Sequence, residues 1–267
     1  MHRSGMIFRA LVHFMAVLTP LTRNKLPPAG GEGKPKAPGR GPPPHRRTGN
    51  QGLLRLYTRP IFKAAGINPK SVKVYVINDQ RINAFVAGGQ RIFVNTGLLA
   101  QADTPNEVIG VLAHETGHIA GGHLARMGVE IESASYTQII GMLVGLAAIA
   151  GGALAGSSEA AQAGQGLMIG SQGLAQRNFL AYARGMEASA DQAALKYLTS
   201  TGQSARGMIT LFDKLARESI TTLQNVDPYV MSHPMPMDRI RNLEEAAKKS
   251  RFYDTKDPAA LVLRHQL

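Results

Sequence analysis

"HETGHIAGGH", residues 114–123, puts three histidines and one glutamate into ten positions of a 267-residue chain that has eight histidines in all. The stretch lies on a helix whose beginning is well marked. In "DTPNE" (103–107), Thr104 suits an N-cap, Pro105 the first helical position, and Glu107 follows three residues after the cap. That is a capping box with the favoured proline. Val108, Ile109, Val111 and Leu112 then form a wide apolar face, so the histidines fall in the following turns of an amphipathic helix.

On a helix, residues i and i+4 share a face about 6 Å apart along the axis. His114 and His118 can therefore bind one Zn²⁺ per chain, with Glu115 beside that face as general base. This is the H-E-x-x-H arrangement of zinc peptidases. With eight histidines and eighteen acids, roughly 0.02 chance occurrences are expected in such a chain. A catalytic zinc also needs a third protein ligand and an open position. His123 stands one residue short of the metzincin spacing; on a continuing helix it is rotated about 140° from the face of His118. It reads as a surface residue or a partner to a ligand. The third ligand is sought downstream, in "EASAD" (187–191). Glu187 is the candidate, with Asp191 four residues on to accept the second ring N–H of a ligand histidine. Glu159, in a Gly/Ala/Ser-rich stretch without a partner acid, competes poorly.

The rest of the chain bounds this reading. There is no cysteine, which excludes disulfides and thiolate metal sites. The formal charge of +12 is uneven: residues 1–60 carry eleven bases against one acid, and residues 61–267 nineteen against seventeen. The basicity belongs to a tail, so nucleic acid is not an expected partner. Residues 1–26 read as an export signal or a disordered start, and 27–50, rich in Pro, Gly and basic residues, as a linker. A metallopeptidase domain is expected over 51–258, and a C-terminal tail over 259–267.

Within the domain, 53–66 has helical spacing ending at Gly66, "SVKVYVIN" (71–78) alternates like a strand, and 83–97 reads as a hairpin around Gly88–Gly89. That hairpin is a candidate open edge for an extended substrate. Helices are expected over 178–198 and 205–219, and another opening near Asp238. The fold class is α+β, mainly α, with a small sheet beside the histidine helix. "IIGMLVGLAAIAGGALAG" (139–156) is long and apolar enough to span a bilayer. However, His114 and His118 precede it and Glu187 follows it, so a single crossing would separate the ligands of one zinc. A hairpin of helices or a loop on one side, covering the cleft or resting on a membrane surface, is expected instead.

"HETGH", "EASAD" and the later "SHPMPMDRI" (232–240) resemble the gluzincin family of membrane-associated metalloendopeptidases that includes HtpX and the CAAX-prenyl proteases. Within it, the soluble periplasmic BepA-like branch is most similar, over about residues 52–258. The resemblance implies a zincin-type endopeptidase with His114, His118 and Glu187 on zinc and Glu115 as base. It implies that His233 points into the site, to steady the transition state or occupy the open metal position, and that Arg239 lines the cleft. On its residues alone, His233 between prolines reads as a loop histidine. The function expected is hydrolysis of unfolded or misassembled envelope polypeptides. The alternative is a zinc-bearing chaperone or assembly factor for outer-membrane proteins with latent peptidase activity.

Overall fold

The computed structural model describes residues 44–221 and 228–266. The expected export segment and most of the linker fall outside the described residues. The linker's last residues do not: α1 spans Pro44–Ala64, so helix begins ahead of the boundary expected at residue 51. It closes as a Schellman motif. Gly66 takes φ 71°, its N–H reaches the Lys63 carbonyl, and the Ile67 N–H reaches Phe62.

The chain divides into two compact units, one comprising the residues up to Gly117 with those from Asp191 onward, the other His118–Ala190. In the first, β1 (Lys73–Ile77), β2 (Ala84–Ala87) and β3 (Arg91–Asn95) form a sheet of order β1-β3-β2. β3 runs parallel to β1 in the register Lys73↔Arg91 and antiparallel to β2 in the register Ala84↔Val94. Gly88 and Gly89 turn the hairpin at φ 57° and 92°, values that side chains strongly disfavour. Ala84, Ile92 and Val94 face the core with Leu54, Ile61 and Leu112. The hairpin therefore exists where expected, but its second strand is the middle of the sheet. Only β2 presents an outer edge of the hairpin, a correction to the view of the whole hairpin as an open edge.

After α2 (Thr96–Gln101) comes α3 (Pro105–Ala120), buried from Pro105 through Gly117. Against it packs α6 (Arg206–Thr221). A Cβ on Gly110 would stand 2.3 Å from Met208 Cβ, so the glycine sets how closely these helices approach. Asn106 fastens them, accepting the Gly207 N–H at 2.8 Å and donating to the Ser204 carbonyl at 2.8 Å. α7 (Pro228–Ser232), α8 (Met237–Ala247) and α9 (Ala259–Gln266) complete this unit. The expected C-terminal tail is thus helical. His265 meets the Tyr57 hydroxyl at 3.1 Å and the Ala102 carbonyl at 3.1 Å, which docks α9 on the body of the unit.

The second unit is a helical hairpin of α4 (His123–Leu154) and the larger part of α5 (Ser158–Ser200). Gly156, at φ 67°, turns the chain between them. The seam is made of small residues: a Cβ on Gly141 would meet Ser171, and one on Gly164 would lie 2.5 Å from the Gly145 carbonyl. The fold-back expected of 139–156 is this pair of helices. Away from the seam α4 is apolar and exposed, with Ile139, Ile140, Leu143 and Val144 at least half accessible. By length and composition, His123–Gly152 is sufficient to cross a membrane.

Candidate metal centre

The cap of α3 forms as the sequence indicates, with one change. The Thr104 hydroxyl oxygen accepts the Glu107 N–H at 3.3 Å, but the Glu107 carboxylate accepts the Asp103 N–H at 2.9 Å and not that of Thr104. Burial pushes the Glu107 carboxyl up, against the downward pull of that backbone hydrogen bond. His114 and Glu115 follow on the buried part of the helix, and both are inaccessible to solvent.

In the first unit, His114 is fixed from behind. Its Nδ1 lies 2.9 Å from an Asp191 carboxylate oxygen. Asp191 also accepts Arg239 Nε at 2.7 Å and Nη2 at 2.9 Å. Arg239 donates its Nη1 to the Pro234 carbonyl at 2.9 Å, and its guanidinium lies over the Phe212 ring. Burial raises the Asp191 carboxyl, but the hydrogen bonds from Arg239 and His114 outweigh it and hold the group below its usual range. An ionised Asp191 draws the single N–H of a neutral His114 to Nδ1 and leaves Nε2 bare, the state a metal ligand requires. Arg239, expected to line a cleft, bonds Asp191 and the backbone of Pro234.

Beyond His114 Nε2, at 3.4 Å, is Nδ1 of His233. The other nitrogen of His233 lies 3.4 Å from Glu115 Oε1. Tyr229 joins this group: its hydroxyl donates to Glu115 Oε1 at 3.5 Å, and its ring lies against His233 at 4.6 Å between centroids. Tyr229 is carried by the short α7 and His233 directly follows its last residue, with the His233 N–H on the Tyr229 carbonyl. Tyr229 escaped the sequence reading, although its i, i+4 spacing from His233 was a usable signal.

In the second unit, His118 Nε2 stands 3.3 Å from Glu187 Oε1. The side chains are 12% and 9% exposed, so the imidazole and carboxylate pair is largely withdrawn from solvent. On its other side, His118 Nδ1 is 3.0 Å from Nδ1 of His123, which is buried rather than on the surface. Glu159 sits at the start of α5, about 42 Å of helix from Glu187, and takes no part. The buried imidazole and carboxylate donors, with no thiolate anywhere in the chain, suit zinc.

The profile of Peptidase family M48 matches residues 50–247. A "Beta-barrel assembly-enhancing protease" of Yersinia pestis is 26% identical over 207 residues, covering 76% of this chain and 41% of that protein. A "Putative beta-barrel assembly-enhancing protease" of Vibrio cholerae is 30% identical over 175 residues, 66% of this chain and 34% of that protein. "Metalloprotease LoiP" of Escherichia coli is 33% identical over 162 residues, 59% of this chain and 57% of that protein. The chain thus spans less than half the length of the first two relatives.

Proposed function

The chain belongs to peptidase family M48, and from that premise we propose that it is a zinc-dependent endopeptidase of unfolded or misassembled envelope polypeptides. His114, His118 and Glu187 are the proposed ligands of one zinc. Support comes from the i, i+4 spacing of the histidines on one helix, the Glu187 carboxylate 3.3 Å from His118 Nε2, and the zinc dependence of the family. The observation that carries the reading is the buried chain Arg239–Asp191–His114, at 2.7 and 2.9 Å. An N–H held on Nδ1 by that carboxylate would leave His114 Nε2 without a hydrogen, as a metal ligand needs and a packed core histidine does not.

Zinc, when bound, would polarise the scissile carbonyl and acidify the attacking water. Glu115 is the proposed base: it takes the proton from the attacking water and passes it to the departing amine. His233, 3.4 Å from Glu115, is the proposed donor to the oxyanion as it forms. The outer edge of β2 is the proposed strand for main-chain pairing with an extended substrate, which selects unfolded chain over sequence. The names of two relatives, which speak of β-barrel assembly, support a substrate among proteins of that assembly, and a periplasmic location is proposed with it. The exposed apolar face of α4 supports peripheral contact with a membrane.

One observation favours the alternative of an assembly factor with latent activity. His233 Nδ1 lies 3.4 Å from His114 Nε2, the nitrogen a metal would use. Digestion of casein by the purified protein separates the two. A peptidase cleaves it, stops on chelation and recovers with added zinc; a latent protein leaves casein intact in all three conditions.

A further inference from the structure

We propose that His123 is a positioning residue for the metal: its Nδ1 accepts the Nδ1–H of His118 and so holds His118 Nε2 bare for zinc. The proposal rests on the zinc reading above. The two Nδ1 atoms are 3.0 Å apart, and the rings meet edge to face, 4.9 Å between centroids and 84° between planes. Only one hydrogen fits between two ring nitrogens, and a neutral imidazole has only one to give. His118 Nε2 faces Glu187, and it can bind a metal only without its hydrogen. That hydrogen is then on Nδ1, its acceptor is His123 Nδ1, and His123 carries its own hydrogen on Nε2. Each tautomer fixes the other.

The local backbone is built for this contact. α3 ends at Ala120, Gly122 takes φ 62° and gives its N–H to the Ile119 carbonyl at 3.1 Å, and α4 opens at His123 itself. The turn swings the ring back onto the helix it has just left. Gly121 supplies the room, since a Cβ there would stand 2.3 Å from His123 Nε2 and 2.6 Å from Cδ2. Ligand histidines usually have a carboxylate, carbonyl or water behind them, and His114 has Asp191. At His118 a neutral imidazole does the same task without a second buried carboxylate beside Glu187.

The test is the zinc affinity of the full chain, measured by competition with a chromogenic chelator. His123→Leu keeps the volume and removes the acceptor; affinity is expected to fall about 10–100-fold. In His123→Asn the amide oxygen takes the place of Nδ1, and affinity is expected to stay within about threefold of the parent. Gly121→Ala retains every nitrogen and oxygen but displaces the ring, and should weaken binding as His123→Leu does. In the zinc-loaded parent, ¹⁵N shifts should report a protonated Nδ1 on His118. Parent-like affinity in His123→Leu, an Asn variant as weak as Leu, or a bare His118 Nδ1 in the loaded parent would each overturn the proposal. A parent that binds no zinc at all would instead overturn the zinc reading on which it rests.

Discussion

Asp191→Asn tests how the first histidine is held. Asp191 receives Arg239 at 2.7 and 2.9 Å and His114 at 2.9 Å, with only 4% of its side chain exposed, so solvent screens little of these interactions. The amide keeps one oxygen for one donor and turns its NH₂ toward another donor. Arg239, with its side chain 10% exposed, is left without a counter-charge. Breaking a buried pair by removing one partner costs about 3–5 kcal/mol. The Pro234 carbonyl and the Phe212 ring remain on Arg239, which argues for the lower end, about 3 kcal/mol. Zinc affinity should fall about 10–100-fold with the tautomer lock. Urea unfolding in chelator reads the first effect and chelator competition the second. The double variant Asp191→Leu with Arg239→Met replaces the pair by apolar volume. It should regain stability but not affinity, since His114 still lacks its acceptor. The lowered Asp191 carboxyl also gives a sign. Its stabilisation is complete above the unfolded value of about 3.9 and is lost as pH falls through the lower folded value. The acid limb of stability should therefore be shallower in Asp191→Asn. Parent-like urea midpoint and zinc affinity in that variant would refute the reasoning.

Glu187→Ala should lose stoichiometric zinc, because two histidines on one helix turn do not complete a catalytic site; metal analysis after dialysis checks it, and retained zinc would assign the third ligand elsewhere. Gly110→Ala drives a methyl into Met208, 2.3 Å from its Cβ and 2.8 Å from its Cα, and should lower stability by about 1–3 kcal/mol; an unchanged thermal midpoint would mean that α3 and α6 part freely. Alkaline carbonate should release the chain, lacking residues 1–26, from membranes; retention in the pellet would make the α4–α5 hairpin integral.

The helix α3 was legible because its signals are local: a cap, a proline, and two histidines one turn apart. The same holds for the Gly88–Gly89 hairpin. What stayed hidden depends on contacts distant in sequence. Nothing in "SVKVYVIN" says that it pairs with β3 rather than β2, yet that choice buries Ile92 and Val94 in the central strand. Proline at either position is therefore a core lesion and no probe of an open edge. The bond from Arg239 to Asp191 was likewise hidden, because the two lie 48 positions apart. Of the two places the sequence allowed His123, the surface is not the one it takes. Its calculated angle assumed a continuing helix, but the helix stops at Ala120 and Gly122 takes φ 62° before the next helix opens. Two glycines in sequence before a histidine were the signal for that stop.

The most direct measurement pairs zinc content with peptide hydrolysis in the parent and in Glu115→Gln. Glu115 is buried on α3, beside His233 at 3.4 Å and the Tyr229 hydroxyl at 3.5 Å, and the amide fits the same space. The variant should hold one zinc per chain, unfold like the parent, and hydrolyse casein slower by a factor of at least about 100, because only the base has gone. Hydrolysis at the parental rate in the zinc-loaded, folded variant would contradict the assignment of Glu115 and the mechanism built on it.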